Sequence, residues 1–141
     1  MFEAMENIFG LRQVNVAEYS PLTFAYIGDC VYELIIRTMI VSESNAPVNK
    51  LNKKASNLAK AATQSAMAEA LIDSLTEEEK AAYKRGRNAH SATKAKNATT
   101  SDYRRATGFE ALIGYLYLQK KFDRIMELVK KGIESLNSER S

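Results

Sequence analysis

Apolar residues recur every three to four positions over long stretches of the chain, a spacing typical of helices. The first predicted helix begins at Ser20-Pro21, because a capping hydroxyl precedes a proline at the first helical position, and it runs to about Val41. The loop SESNAPVN follows. A second helix is predicted from about Val48 through KLNKKASNLAKAATQSAMAEALIDSL, and its small residues favour close packing against a neighbour.

The second half of the chain predicts three further helices. Thr76 and Glu79 have the spacing of a capping box, so a third helix is predicted over TEEEKAAYKRGRNA. The polar segment over about 88–101 is rich in Ser, Thr and Asn and predicts a loop. A fourth helix is predicted over about 102–120 and a fifth over about 122–136.

No strand-like alternation and no internal repeat interrupt this pattern, so the predicted fold class is all-α. A chain of 141 residues with 45% hydrophobic content fits one domain with one core. We expect residues 1–141 to form that domain, with 1–15 and 137–141 peripheral or frayed. The N-terminus lacks the features of a signal peptide, and charged residues interrupt the longest apolar stretch. The expectation is therefore a cytoplasmic protein without a membrane partner.

The single cysteine and the single histidine limit the chemistry. Cys30 has no internal disulfide partner and lies in an apolar run, so we expect a small buried side chain in a reducing compartment. His90 cannot build a histidine-based or Cys/His metal site alone. A catalytic site in this chain would therefore rest on carboxylates.

Positive charge is concentrated in one segment although the net charge is only +3. Between positions 84 and 105 there is one acid, Asp102. Cations neutralise phosphates and amides or hydroxyls bind phosphate and sugar oxygens, so a basic, polar loop suits a nucleic-acid backbone. A second basic set opens the second helix and is either a solvated helix face or a further contact. The first set is Lys84, Arg85, Arg87, Lys94, Lys96, Arg104 and Arg105, and the second is Lys50, Lys53, Lys54 and Lys60.

Three acids stand out because they lie within apolar helices: Asp29, Glu33 and Glu110. A buried carboxylate costs several kcal/mol unless something compensates it. Buried carboxylates from separate helices near a basic loop suit Mg²⁺, which prefers oxygen ligands and keeps positions for water and phosphate. The alternative is that each acid forms a salt bridge or caps a helix, and spacing alone leaves both open.

Two motifs identify a family resemblance. YIGDCVYE resembles the signature helix of ribonuclease III catalytic domains, and FEALIGYLYL resembles the second acidic helix of that family. The stretch RGRNAHSATKAKNATTSDYRRATGFEALIGYLYL is similar to the short bacterial branch that lacks a separate double-stranded-RNA-binding domain. The resemblance covers about 16–136, with both motifs in the expected order and separation.

The resemblance implies a helical-bundle endonuclease domain that works as a homodimer around duplex RNA. It implies Mg²⁺-dependent cleavage, with Mn²⁺ as a substitute, leaving 5′-phosphate and 3′-hydroxyl ends. The implied substrate is the precursor of large-subunit (23S) ribosomal RNA, and no DNA binding is expected. Matched residue by residue, Asp29 and Glu110 are the implied catalytic and metal-binding acids.

The same resemblance turns the basic segment into an expected RNA-binding surface. Duplex RNA is recognised mainly by shape, 2′-hydroxyls and phosphates, so weak sequence preference is expected. The residues expected to contact RNA are Arg85, Arg87, Asn88, His90, Lys94, Lys96, Asn97 and Arg104.

The sequence also departs from the larger family at two acidic positions. Ala25 stands where a glutamate is usual, and Thr107 stands where an aspartate is usual. One Mg²⁺ held largely through water by Asp29 and Glu110 is therefore expected, rather than a tightly held metal pair. Glu33 has two interpretations, an ordinary ion pair four residues before Arg37 or a role close to the metal.

Two non-enzymatic interpretations compete with the nuclease. A helical duplex-RNA-binding or ribosome-assembly module would explain the missing acids, and it predicts binding without a metal-dependent product. A helical dimerisation protein would leave the basic segment unexplained and predicts no RNA affinity.

Overall fold

The computed structural model describes residues 1–89 and 100–140, and in these ranges the chain is helical without a strand. The predicted all-α fold class is therefore confirmed. Short 3₁₀ turns lie at Val16–Glu18 and Ile72–Ser74. The α-helices of the described ranges are α1 (Phe2–Phe9), α2 (Pro21–Glu43), α3 (Val48–Ala59), α4 (Ala61–Leu71), α5 (Glu77–Asn88), α6 (Thr100–Leu118) and α7 (Phe122–Arg140).

Helix α6 occupies the centre of the bundle and packs against α2, α4, α5 and α7. Phe109 and Ile113 on α6 are fully buried. The ring of Tyr32 on α2 meets Phe109 edge to face, with centroids 5.3 Å apart. The core thus fixes the position of α2 relative to α6, the two helices that carry the suspected acids.

Two predicted helix starts are confirmed with their caps. The Ser20 hydroxyl accepts a hydrogen bond from the Leu22 amide at 3.1 Å. At α5, the Thr76 hydroxyl accepts from the Glu79 amide at 3.1 Å, and a Glu79 carboxylate oxygen accepts from the Thr76 amide at 2.9 Å. Both ends satisfy backbone donors that would otherwise lack helical partners.

Glu79 has a second role, because it ties α5 to α7. Its two carboxylate oxygens accept from Nε and Nη2 of Arg124, each at 2.9 Å. Arg124 Nη2 also donates to the Ser74 carbonyl at 2.9 Å. The Glu79 side chain is buried, so this ion pair, with its two hydrogen bonds, connects the helices inside the fold and is not a surface ion pair.

The prediction of one long second helix is wrong, because α3 and α4 are separate helices. Lys60, between them, has an extended backbone (φ −68°, ψ 154°). A break normally leaves the last carbonyls of the first helix without partners. Here side chains supply the donors, two from the first turn of α4 and one from Tyr32 on α2, and only the last is a tertiary contact. Tyr32 Oη donates to Leu58 O at 2.7 Å, Thr63 Oγ1 to Asn57 O at 2.7 Å, and Gln64 Nε2 to Ala59 O at 3.1 Å.

The two ends of the chain contain more helix than the sequence pattern predicts. Helix α1 has no counterpart among the predicted elements, and α7 continues past position 136 to Arg140. The Phe2 ring packs on Tyr117 and Phe122, with centroids 5.1 and 5.7 Å apart. Glu6 also pairs with Lys120 at 2.7 Å. These contacts place α1 against the end of α6 and the start of α7.

None of the helices in the described part of the chain combines the length and the apolarity that a bilayer crossing requires.

Candidate active site

Helices α2 and α6 touch through two glycines. A Cβ atom at Gly28 would stand 1.8 Å from the backbone oxygen of Glu110, and one at Gly114 would stand 1.9 Å from the backbone oxygen of Phe24. Any other residue at these positions would push the helices apart. Gly28 thus permits a close backbone approach, which places the next residue, Asp29, beside Glu110.

The carboxyl groups of Asp29 and Glu110 are close enough to share a hydrogen bond. Burial raises the pKa of Glu110 to about 9, and the hydrogen bond to Asp29 and the charges of Asp29 and Glu33 act in the same direction. Without a cation, Glu110 therefore holds its proton at neutral pH. Clustered carboxyl groups of this kind mark functional sites, since a bound cation would favour the ionised form.

The expected burial of Asp29 and Cys30 is wrong. Both side chains are exposed, while Glu110 is the partly buried member of the acidic pair. The seam of α2 against α6 runs through Phe24 and Gly28, one turn apart and both buried. Asp29 and Cys30 follow at 100° per residue and so face outward from that seam. The desolvation predicted for Asp29 falls on Glu110 instead.

The acids lie in an open groove of about 900 Å³ between α2 and α6. Ala25 and Thr107, where the larger family usually has acids, line the same groove and are each 8% exposed. The Thr107 hydroxyl donates to the Tyr103 carbonyl at 3.0 Å, within its own helix. The departures from the family pattern thus fall inside the groove, beside the Asp29–Glu110 pair.

Of the two interpretations of Glu33, the ion pair is present in the structure, with Arg37 Nη2 and Glu33 Oε2 separated by 2.9 Å. Both residues line the groove that contains the acidic pair. The Glu33 charge also contributes to the raised pKa of Glu110. The ion pair therefore lies next to the acids rather than on a remote face of α2.

The donor chemistry of the pair fits a hard cation such as Mg²⁺. Among residues 1–89 and 100–140, no three His, Cys, Asp or Glu side chains converge as a ready-made ligand set. Asp29 and Glu110 offer carboxylate oxygens within hydrogen-bond reach of each other. Mg²⁺ is commonly held by one or two carboxylates, with water and substrate phosphate completing the shell. The residues present match that mode.

Part of the expected RNA-binding set lies at the end of α5 and the start of α6. Arg85 donates to the Tyr19 carbonyl at 3.4 Å, so it touches the segment that precedes α2. Arg87 lies 5.8 Å over the Tyr83 ring and donates to Asn88 Oδ1 at 3.3 Å. The remaining basic member with a described position, Arg104, is exposed on α6, while His90, Lys94, Lys96 and Asn97 fall outside the described residues.

Two groove residues were not singled out from the sequence as part of a site. Tyr103 precedes Glu110 by seven residues, and Arg37 follows Asp29 by eight. A spacing of seven returns a side chain to within about 20° of the same direction after two turns, whereas a spacing of eight leaves it about 80° away, at the edge of the same broad face. The two residues could be assigned to the groove only once α2 and α6 were known to meet at the acids.

Comparison with known proteins agrees with the fold. The family model described as Ribonuclease III domain matches residues 22–121 of the chain. The chain therefore belongs to the ribonuclease III family, and it is an endoribonuclease. That family acts on double-stranded RNA and generally depends on a divalent metal ion.

The similar proteins include members of the short branch of the family. A Mini-ribonuclease 3 from Clostridium tetani is 50% identical over 121 residues, which cover 85% of this chain and 77% of that one. A Mini-ribonuclease 3 from Thermoanaerobacter sp. is 43% identical over 134 residues, covering 95% and 94%. A crystal structure of a Fusobacterium nucleatum protein superimposes with a TM-score of 0.76 at 33% identity, covering 83% and 93%. The chain thus falls in the Mini-ribonuclease 3 branch.

Proposed function

We propose that this endoribonuclease cleaves double-stranded RNA with Mg²⁺, or with Mn²⁺ as a substitute, in the cytoplasm. Its products would carry 5′-phosphate and 3′-hydroxyl ends. The substrate we propose is the duplex formed by the ends of the 23S ribosomal RNA precursor. The observation that carries the proposal is the adjacency of Asp29 and Glu110 across the α2–α6 groove.

Each acid has a distinct task in this proposal. Exposed Asp29 presents its carboxylate to the groove, where water and a phosphate oxygen have room to approach. A bound cation would favour the ionised form of Glu110, which would release its proton to solvent and serve as the second oxygen donor. When bound, the divalent ion would activate water for in-line attack and stabilise charge on the phosphate and the leaving oxygen. Gly28 keeps the two acids within reach of one ion.

The basic end of α5 would hold the RNA backbone during the cut. Arg85 and Arg87 lie in the last turn of α5, where cations also complement the helix dipole. The bonds of Arg85 to Tyr19 and of Arg87 to Asn88 would limit their freedom before RNA arrives. The expected contacts at His90, Lys94, Lys96 and Asn97 belong to the same proposal.

A homodimer is part of the proposal because one acidic pair serves one phosphodiester at a time. Support comes from the exposed side chains of α2 next to the acids. Tyr26 is 82% exposed and Leu34 is 50% exposed, and exposed Cys30 lies between them at helical spacing. A solvent-exposed aromatic and aliphatic stripe on one helix suits a self-complementary contact. Pairing two copies would place two acidic pairs on one duplex.

The test is cleavage of a matched panel of nucleic acids. Duplex RNA, the two separate strands and a duplex DNA of the same sequence would be incubated with protein in Mg²⁺, Mn²⁺ or chelator. We expect cleavage of duplex RNA alone, only with metal, and product ends that a 5′-phosphate-dependent exonuclease degrades. Binding of duplex RNA without any metal-dependent product would instead support the RNA-binding or assembly module. A precursor 23S RNA transcript, cut at its paired ends, would test the natural substrate.

A further inference from the structure

The groove that holds the acidic pair contains three acids and one base among its described lining residues. The acids are Asp29, Glu33 and Glu110, and the base is Arg37. An RNA strand brings one negative charge per phosphate into this acidic surface. A bound metal offsets charge at the scissile phosphate, but it leaves the neighbouring phosphates facing carboxylates. A cation from the protein is needed there, and Arg37 is the candidate that the groove provides.

The position of Arg37 suits a flanking phosphate rather than the scissile one. It follows Asp29 by eight residues on α2, which corresponds to about 12 Å along the helix axis. Its side chain is 62% exposed, so the guanidinium reaches solvent at the groove rather than packing into the core. The same residue also borders the surface between α2 and α3. Arg37 thus lies at the end of the acidic groove that borders α3.

The ion pair with Glu33 leaves Arg37 with capacity for a ligand. The contact at 2.9 Å uses Nη2, while a guanidinium carries five donor hydrogens in a planar fork that matches phosphate. Glu33 is 37% exposed, so the pair lies in a solvent-screened setting and contributes little to stability. An exposed pair of this kind orients the guanidinium more than it strengthens the fold.

We propose that Arg37 binds an RNA phosphate next to the scissile one, and that Glu33 orients its guanidinium. The proposal rests on the proposed function, since it takes duplex RNA as the ligand. It explains why the ion pair lies inside the groove with the acids. It also gives the two members of the pair opposite effects on RNA binding: Arg37 attracts the phosphate, and the Glu33 charge repels it.

Because Arg37 and Glu33 are expected to have opposite effects on RNA binding, isosteric and charge-matched variants of the two residues test the proposal. Arg37→Ala should raise KM for duplex RNA about tenfold with a smaller change in kcat, because one charge-assisted contact is lost. The slope of log K against log salt, measured without divalent ions, should become shallower by about one. Glu33→Gln keeps an acceptor for Arg37 but removes the repelling charge, so KM should stay or fall. Arg37→Lys should recover part of the affinity.

Lys130→Ala is the charge-matched control, because Lys130 is exposed on α7 and outside the acidic groove. Thermal melts of all variants check that they fold. An unchanged salt slope in Arg37→Ala would overturn the proposal. So would equal losses of kcat and melting temperature in Arg37→Ala and Glu33→Gln, which is the behaviour of a purely structural ion pair. Failure of the wild-type protein to bind or cut duplex RNA would instead reject the proposed function.

Discussion

Gly28 and the backbone oxygen of Glu110 are in direct contact, so close that a Cβ atom at position 28 would stand 1.8 Å from that oxygen. This contact joins the two halves of the acidic pair. The residue after Gly28 is Asp29, and the backbone oxygen that Gly28 touches belongs to Glu110 itself. A helix crossing and a candidate active site are therefore fixed by one atom-to-atom approach.

Replacing Gly28 with alanine should separate the helices and displace the acids. Forced overpacking typically costs about 1–3 kcal/mol in stability, and the displaced acids should lower kcat well beyond that loss. Gly10→Ala is the matched control, because Gly10 has φ +59° and its Cβ would meet nothing within 4 Å. Gly10→Ala should lower the free energy of unfolding by about 1 kcal/mol through backbone strain alone and leave kcat unchanged. Denaturant melts and single-turnover cleavage would measure both, and a fully active Gly28→Ala protein would refute the positioning role.

The Glu79–Arg124 pair should make stability depend on pH on the acid side. The hydrogen bond from Arg124 lowers the pKa of Glu79 below its ordinary 4.5. An acid with a lowered folded-state pKa stabilises the fold above its unfolded pKa, and the contribution is lost as pH falls through the folded value. Glu79→Gln keeps a capping residue at this position but removes the charge, and should cost about 1–3 kcal/mol at pH 7.

The readout for that pair is the free energy of unfolding of both proteins at several pH values. The difference between wild type and Glu79→Gln should be largest at pH 7 and shrink below about pH 4.5, where the unfolded carboxyl takes up its proton. A difference that stays constant down to pH 3 would show that the charge of Glu79 does not act as inferred.

The break between α3 and α4 predicts that removing the hydroxyl of Tyr32 lowers the stability of the fold. Tyr32 is fully buried and donates to the Leu58 carbonyl at 2.7 Å, one of the carbonyls left over where α3 ends. Tyr32→Phe keeps the ring contact with Phe109 but leaves that carbonyl without this donor. We expect a loss of about 1–2 kcal/mol in the free energy of unfolding. Equal stability of the two proteins would mean that water replaces the hydroxyl and that the break does not depend on Tyr32.

The proposed homodimer predicts that Tyr26 matters for assembly and not for folding of one chain. Because the ring is 82% exposed, Tyr26→Ala should leave the melting temperature of the isolated chain nearly unchanged. A buried aromatic anchor at an interface typically contributes about 2 kcal/mol or more, so the dimer dissociation constant should rise at least about thirtyfold. Phe9→Ala, at 73% exposure on α1, is the control. Sedimentation equilibrium showing a wild-type monomer at all concentrations would contradict the dimer.

The parts of the fold that could be predicted from the sequence are those set by local chemistry. Ser20-Pro21 and the Thr76–Glu79 box mark their helix starts correctly because a cap depends on residues within one turn. The break at Lys60 could not be predicted from periodicity, since the Leu58 carbonyl at the end of α3 is satisfied by Tyr32, which the tertiary fold brings there from α2. Local periodicity continues straight through it.

The candidate site divides in the same way. Asp29 and Glu110 could be selected because an acid in an apolar helix is unusual, and the family motifs match both positions. Which of the two is desolvated depends on how α2 rotates against α6, and the structure reverses that expectation. The position of Arg37 in the groove depends on the same rotation. The candidate acids could thus be chosen from the types of residue in the sequence, whereas their burial and neighbours depend on how the helices pack.

The most direct test of the account is cleavage by the Asp29→Asn protein, which keeps the size of the side chain and removes its charge. Glu43→Gln is the matched control, because Glu43 is an exposed acid at the other end of α2. With duplex RNA and Mg²⁺ in single-turnover conditions, we predict wild-type rates for Glu43→Gln and a loss of at least about a thousandfold for Asp29→Asn, with RNA binding retained. Cleavage by Asp29→Asn at the wild-type rate would contradict the assignment of the Asp29–Glu110 pair as the active site.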